Sequence, residues 1–179
     1  MKKTILALIS ATLIASLTAI DENLKQVAKD AAGIYVDNRE KDKYGKTIVV
    51  TGCNYGYLNH LHNIKCYFDI HEMKVLVFAF DEKTFNHIKS SFTSTSASGR
   101  YISYFWGQGE KVSEESSNFR SSNFNLIANR KLESVLALME LGYDVLFTDV
   151  DIALPRDPIP YIFWKGVDYV HSINKVCSP

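Results

Sequence analysis

At 179 residues, 46% hydrophobic and 22% charged, the chain has the size and composition of one globular domain with a core of its own. Lys plus Arg equals Asp plus Glu at 20 each, and with no basic run this excludes an electrostatic case for nucleic-acid binding. Three cysteines, Cys53, Cys66 and Cys177, are too few and too scattered for a zinc site or a disulfide framework and read as buried free thiols.

Met1-Lys2-Lys3 is a positive start, and Thr4 to Ile20 is an uncharged, mostly apolar run that stops at Asp21-Glu22. That is the layout of a secretory signal peptide or a short signal-anchor, and residues 1–20 are assigned to one or the other. Residues 21–45 are densely charged, with Ala-rich helical stretches around Leu24, Val27 and Ala31. They read as a stem or tether, which puts the domain boundary at Lys46 and the domain at 46–179.

Thr47-Ile48-Val49-Val50-Thr51 is continuous and β-branched, the pattern of a strand buried on both faces of a parallel sheet. The loop Gly52 to Tyr57 follows, and Leu58, Leu61, Ile64 and Phe68 recur at helical spacing over 57–68. Met73 to Phe80 is a second buried strand, ended by Asp81-Glu82. Strand, helix and strand make a β-α-β unit, whose right-handed crossover requires parallel strands. The loop glycines match neither Gly-x-Gly-x-x-Gly nor the Walker pattern, which leaves little support for a dinucleotide or P-loop site.

Glu82 to Ser90 predicts a short helix, and 91–99 is a Ser/Thr-rich, low-complexity loop. Arg100 to Trp106 is an aromatic cluster, read as a strand or a surface platform, with core packing as the commoner role for such residues. Ser121-Ser122-Asn123 offers helix caps. From Phe124 onward Ile127, Leu132, Val135, Leu136, Leu138 and Met139 form an apolar helical stripe that Gly142 terminates.

Tyr143 to Asp151 then reads as a short buried strand delivering two carboxylates at its C-terminal end. Alternation along that strand puts Asp149 and Asp151 on one side, with Val150 turned back into the packing. Paired like charges call for a cation, most simply a divalent metal, although an isolated Asp-x-Asp is as often a solvated turn. Beyond it come an extended segment to Pro155, the turn Arg156-Asp157-Pro158, an aromatic segment at 161–164, and one more strand over Val167 to Ser172. Arg156-Asp157 reads as a salt-bridged structural turn, and His171 as an ordinary surface histidine.

Phe119 to Asn125, Lys131, Leu141 to Asp151 and Leu154 to Pro158, in register with the Thr51 to Tyr57 loop and the Val75 to Asp81 strand, together resemble the nucleotide-diphospho-sugar transferases. That family includes plant cell-wall xylosyl- and arabinosyltransferases. The resemblance implies a GT-A fold, an α/β Rossmann-like sandwich with a mainly parallel sheet, here with its C-terminal part incomplete. It further implies a UDP-sugar donor, a glycan or glycoprotein acceptor, and Mn²⁺ or Mg²⁺ held by Asp149 and Asp151. Thr51, Asn54 and Tyr57 become candidates for base or ribose contacts, Asp81 a weaker one, and Lys131 a candidate for the phosphates or sugar. A Golgi membrane protein with a lumenal domain, or a secreted one after signal cleavage, goes with this reading. Two alternatives stand beside it: a non-catalytic nucleotide-sugar-binding remnant, and a haloacid-dehalogenase-type phosphatase using Asp149 and Asp151 as nucleophile and acid/base.

Overall fold

The computed structural model describes residues 21–37, 39–92, 99–107, 109–162 and 167–170. The expectations for the N-terminal run, Trp164, His171 and Cys177 lie outside those residues. No helix among the described residues is long and apolar enough to cross a membrane.

In chain order the elements are α1 (Glu22–Ala31), α2 (Lys41–Tyr44), β1 (Thr47–Cys53), a 3-10 turn (Tyr55–Tyr57), α3 (Leu58–Ile70), β2 (Val75–Ala79), α4 (Glu82–Ser91), β3 (Tyr101–Phe105), α5 (Ser122–Glu140), β4 (Asp144–Phe147) and α6 (Ile159–Ile162). The four strands form one sheet in the order β3-β2-β1-β4, and every pairing is parallel. Helices lie on both faces, so the described chain is the Rossmann-like α/β sandwich that the β-α-β pattern foretells.

Every residue of β1 and β2 is buried. Alternation divides them between two cores: Val49, Cys53, Val75 and Val77 pack with Leu61, Ile64 and Phe68 of α3 and Ile88 of α4. Ile48, Val50, Leu76 and Phe78 pack with α1 and α5. Each large apolar side chain so placed contributes roughly 1.5–3 kcal/mol, which is why the continuous β-branched runs settle in the middle of the sheet.

The stretch expected as a stem departs from that expectation. Asp21 accepts the N–H of Asn23 as an N-cap, and Leu24, Ala28 and Ala31 are buried against the sheet with Ile48, Val50 and Tyr104. Of the charges that suggested a tether, Glu22, Lys25, Lys29 and Asp30 occupy the outer face of this amphipathic helix, and Arg39 pairs with Glu72. Tyr104 of β3 donates a 2.7 Å hydrogen bond to the Asp21 carboxylate, tying this helix to the edge strand.

Helix α5 has the ends its sequence predicts. Ser121 Oγ accepts the Phe124 N–H at 3.2 Å. At the other end Gly142, with φ +85°, donates to Met139 O, and Tyr143 donates to Leu138 O. Those are the two bonds of a Schellman motif, in which a left-handed glycine turns the chain sharply into the next element. The apolar stripe, however, is divided: Ile127, Arg130, Ser134 and Leu138 are buried, whereas Leu132, Leu136 and Met139 stand exposed.

Three further expectations change. Strand β4 sits at an edge of the described sheet and is half-buried rather than buried. It ends at Phe147, and Val150 and Asp151 form a turn, so strand alternation does not set the direction of the two carboxylates. Residues 167–170 form no strand. The aromatic cluster does form a strand, one of the roles read for it: residues 101–105 are the edge strand β3, with Tyr101 and Tyr104 buried and Phe105 turned outward.

Candidate functional site

Strand order fixes where a crevice opens. From β1 the chain steps to β2 and β3 on one side, then returns through α5 to place β4 on the other. The strand order thus reverses between β1 and β4, and in open parallel sheets ligands bind at the C-terminal ends of the strands at such a reversal. At this switch point the β1 end carries the Asn54 to Tyr57 loop, and the β4 end carries Thr148 to Asp151. Thr148 N–H still bonds Val50 O at 2.9 Å, so the two ends remain side by side up to the acidic turn.

On the β4 side, Val150 is buried at 4% exposure while Asp149 and Asp151 on either side of it are exposed. The apolar anchor holds the turn down and leaves both carboxylates in solvent. Lys131, reaching over from α5, donates to Asp149 Oδ1 at 2.5 Å, with side-chain exposures of 28% and 50%. At that exposure the ion pair stabilises the fold by at most about 1 kcal/mol. Its consequence is local: a cation already sits on one carboxylate. Burial pushes the Cys53 thiol up to about 12, Asp81 adds to the shift and Lys131 opposes it. The same ammonium is thus felt at the end of β1.

Two carboxylates are hard oxygen donors suited to Mg²⁺ or Mn²⁺, which take one or two protein carboxylates and complete their shell with water and substrate phosphate. Among the described residues no group of three His, Cys, Asp or Glu could hold a metal by itself. The pair accordingly fits a cation that arrives with a phosphate better than one resident in a protein cage.

The β1 side is organised differently. Asn54 is fully buried, and its Nδ2 donates to Ser113 O at 2.6 Å and Glu115 O at 2.8 Å. Tyr57 OH donates to Ser117 O at 3.2 Å. Residues 113–117 therefore cross this loop as a strap. Asn123 of α5 fixes the strap from behind, its Oδ1 accepting Ser113 N–H at 2.9 Å. A methyl group on Gly56 would meet Ser116 N at 2.2 Å, so only glycine allows the approach. Asn54 Oδ1 has no hydrogen-bond partner among the described residues.

Asp81 is buried at 3% exposure and caps α4, accepting from Thr84 N–H and Thr84 Oγ at 2.9 and 2.8 Å. Its second oxygen also accepts Tyr55 N–H at 2.7 Å, which fastens the β1 loop to α4. Thr51 is fully buried within β1, and its hydroxyl has no hydrogen-bond partner among the described residues. Of the residues singled out from sequence, Lys131 and Asp149 touch one another. Asn54, Tyr57 and Asp81 bond to the protein's own backbone and to Thr84.

Other working residues escaped the sequence reading. Arg130 is buried and bonds Glu133 at 2.7 Å and Glu110 O at 3.2 Å, fastening the segment before the strap to α5. Its i, i+3 spacing to Glu133 was the available signal. Asp157 is structural, as expected, but through different partners: it accepts Tyr35 OH at 2.6 Å and Ile159 N–H at 2.9 Å. Among the described residues Arg156 forms no ion pair with it; the guanidinium lies 6.0 Å from the Tyr161 ring centre. Cys66 is exposed, contrary to the buried thiol expected.

Comparison with known proteins bears on the same region. The chain is similar to the UDP-galactose:fucoside alpha-3-galactosyltransferase of Dictyostelium discoideum, at 24% identity over 143 residues covering 70% of this chain and 21% of that protein. It is also similar to the UDP-D-xylose:L-fucose alpha-1,3-D-xylosyltransferase MGP4 of Arabidopsis thaliana, at 27% over 130 residues, 69% of this chain and 32% of that protein. A third relative is the Arabidopsis beta-arabinofuranosyltransferase RAY1, at 27% over 120 residues, 65% of this chain and 21% of that protein. The chain thus aligns with between a fifth and a third of the length of these relatives. No solved structure matches it. Residues 71–176, more than half of the chain and inclusive of β2, α5 and the acidic turn, match the nucleotide-diphospho-sugar transferase family, and the chain belongs to that family.

Proposed function

We propose that this chain binds a UDP-sugar at the β1–β4 switch point and serves transfer of its sugar to a glycan or glycoprotein acceptor. One observation carries the reading. Two solvated carboxylates and a lysine flank the C-terminal end of β4, beside the β1 loop, where an open parallel sheet takes its ligand. Two relatives, named for UDP-galactose and UDP-xylose, support the donor class. The phosphatase alternative loses its ground because the family match includes the acidic turn.

In this reading Asp149 and Asp151 hold Mn²⁺ or Mg²⁺ together with the donor diphosphate. A metal there would neutralise charge growing on the leaving diphosphate. Lys131 holds Asp149 in place before the donor arrives and offers its ammonium to the phosphates afterwards. Tyr57 and the strap line the nucleoside side, positioned by Asn54 and Asp81. Thr51 lies beneath them within the sheet. Residues 46–179 form the donor-binding part of the transferase, and the apolar run at 1–20 directs it to the secretory pathway, as a Golgi anchor or a cleaved signal.

Titration calorimetry with UDP tests the assignment. Binding is expected with Mn²⁺ and is expected to fall at least about tenfold without it, or in Asp149→Asn or Asp151→Asn. Equal affinity in all four cases would end the metal-site reading. Transfer assays with UDP-galactose, UDP-xylose and UDP-arabinofuranose then separate a transferase from a binding remnant. UDP affinity with no product from any of them favours the remnant.

A further inference from the structure

Helices α3 and α4 lie on the same face of the sheet, both packed into the core that Val49 and Val77 enter. Each carries one histidine toward the other. His62 Nε2 and His87 Nε2 stand 2.9 Å apart, with ring planes at 79° and ring centres 5.1 Å apart. His62 is exposed and His87 half-buried, so the pair opens to solvent. Phe92 packs edge-on against the His62 ring at 5.0 Å, which limits the ring's freedom to turn away. Without an ion, one ring donates and the other accepts.

We infer that His62 and His87 form a bidentate site for a late first-row divalent cation, one that clamps α3 to α4. The spacing supports this class. The 5.1 Å between ring centres is close to the roughly 5.2 Å that two metal–imidazole bonds of about 2.0–2.1 Å set between the rings when they meet at the tetrahedral angle. Tetrahedral zinc needs a nitrogen–nitrogen separation of about 3.4 Å, which a small turn of the exposed His62 ring supplies. Imidazole prefers these ions to Mg²⁺ or Mn²⁺, which favour oxygen. On binding, the ion takes both Nε2 lone pairs, and the proton shared between them moves to Nδ1 of the ring that lacked one. The rings stay neutral and no proton is released. The remaining positions take water, since no third ligand from His, Cys, Asp or Glu stands with this pair among the described residues.

The clamp is separate from the acidic turn. It bears on the β1 loop through Tyr55, whose ring stands edge-on to His87 with centres 6.5 Å apart and whose N–H is held by Asp81, the N-cap of α4.

Equilibrium dialysis and thermal unfolding of the full, tag-free chain with nickel(II) and zinc(II) test the inference. One equivalent is expected to bind and to raise the unfolding midpoint, since a ligand that binds only the folded state stabilises it. Mg²⁺ should not reproduce the effect. His62→Gln and His87→Gln should each weaken binding at least about tenfold, with unchanged circular dichroism confirming the fold. The Asp149→Asn, Asp151→Asn double variant should bind nickel normally, so that a failed carboxylate site and a failed histidine site give different results. No stoichiometric binding of nickel or zinc up to millimolar concentration, or binding that survives both histidine substitutions, overturns the proposal.

Discussion

The two sides of the β1–β4 crevice are built on opposite principles. On the β1 side polar groups are buried and bonded within the protein: Asn54 holds the strap, and Asp81 holds both the α4 N-terminus and the loop. On the β4 side the strand is half-exposed, and its two acidic residues stand in solvent with one lysine between α5 and Asp149. Burial raises the cost of leaving a polar group unpaired, so the first set is committed to shape. Solvated carboxylates carry no such commitment and can exchange a lysine for a ligand. The difference separates residues committed to the protein's own wall from residues that remain open to solvent.

Substitutions can break that contrast. The largest loss of stability is expected for Asp81→Ala, which leaves the N–H groups of Tyr55 and Thr84 without their acceptor. An N-cap is worth about 1 kcal/mol and a buried unpaired donor about 1–3 kcal/mol more, so urea unfolding should show a loss of roughly 2–4 kcal/mol. A change under about 0.5 kcal/mol, the range of ordinary surface substitutions, would move Asp81 from the wall to the ligand. Gly56→Ala comes next. Its methyl group meets strap backbone at Ser116 N and at Glu115 C, 2.5 Å away, so something must shift, at about 1–3 kcal/mol for overpacking. If the thermal midpoint does not fall, the strap does not rest on this loop.

Asp69 extends the comparison to the far edge of the sheet and to pH. Its desolvation favours the neutral acid, but hydrogen bonds from Lys65, Tyr101 and Arg100 outweigh it and hold the carboxyl below its ordinary value of 3.8. A folded-state pKa below the unfolded one contributes stability above that ordinary value, lost as pH falls through the folded pKa. Asp69→Asn should therefore destabilise the protein at neutral pH and flatten the acid limb of urea midpoints measured between about pH 2 and 5. An unchanged slope would show that its bonds are no tighter in the folded state. Smallest are Asp149→Asn and Asp151→Asn, expected to change stability by no more than about 1 kcal/mol while removing Mn²⁺-dependent UDP binding. A large loss of stability in either would assign the acidic turn to the wall after all.

Sequence reading went furthest where the signal is local. The β-branched runs of β1 and β2 announce buried strands because a parallel interior accepts nothing else. Ser121 and Gly142 mark the ends of α5 because a helix leaves its terminal N–H and C=O groups unpaired, and these residues supply partners or the left-handed turn. The two carboxylates that follow β4 were legible as a pair of candidates, and Lys131 as another on the preceding helix. Arg130, Asn123 and the 113–117 strap were not, because their partners lie far along the chain.

The sequence by itself determined the β-α-β unit, the helix that leads into the acidic turn, and the identity of the two carboxylates. Each follows from periodicity or chemistry within a dozen residues. Only the tertiary structure decided that Leu24, Ala28 and Ala31 belong to the core, that β4 lies at the edge, and that Asn54 and Asp81 turn inward. Those outcomes depend on which surfaces meet across the sheet, and burial between distant segments leaves no local period to read.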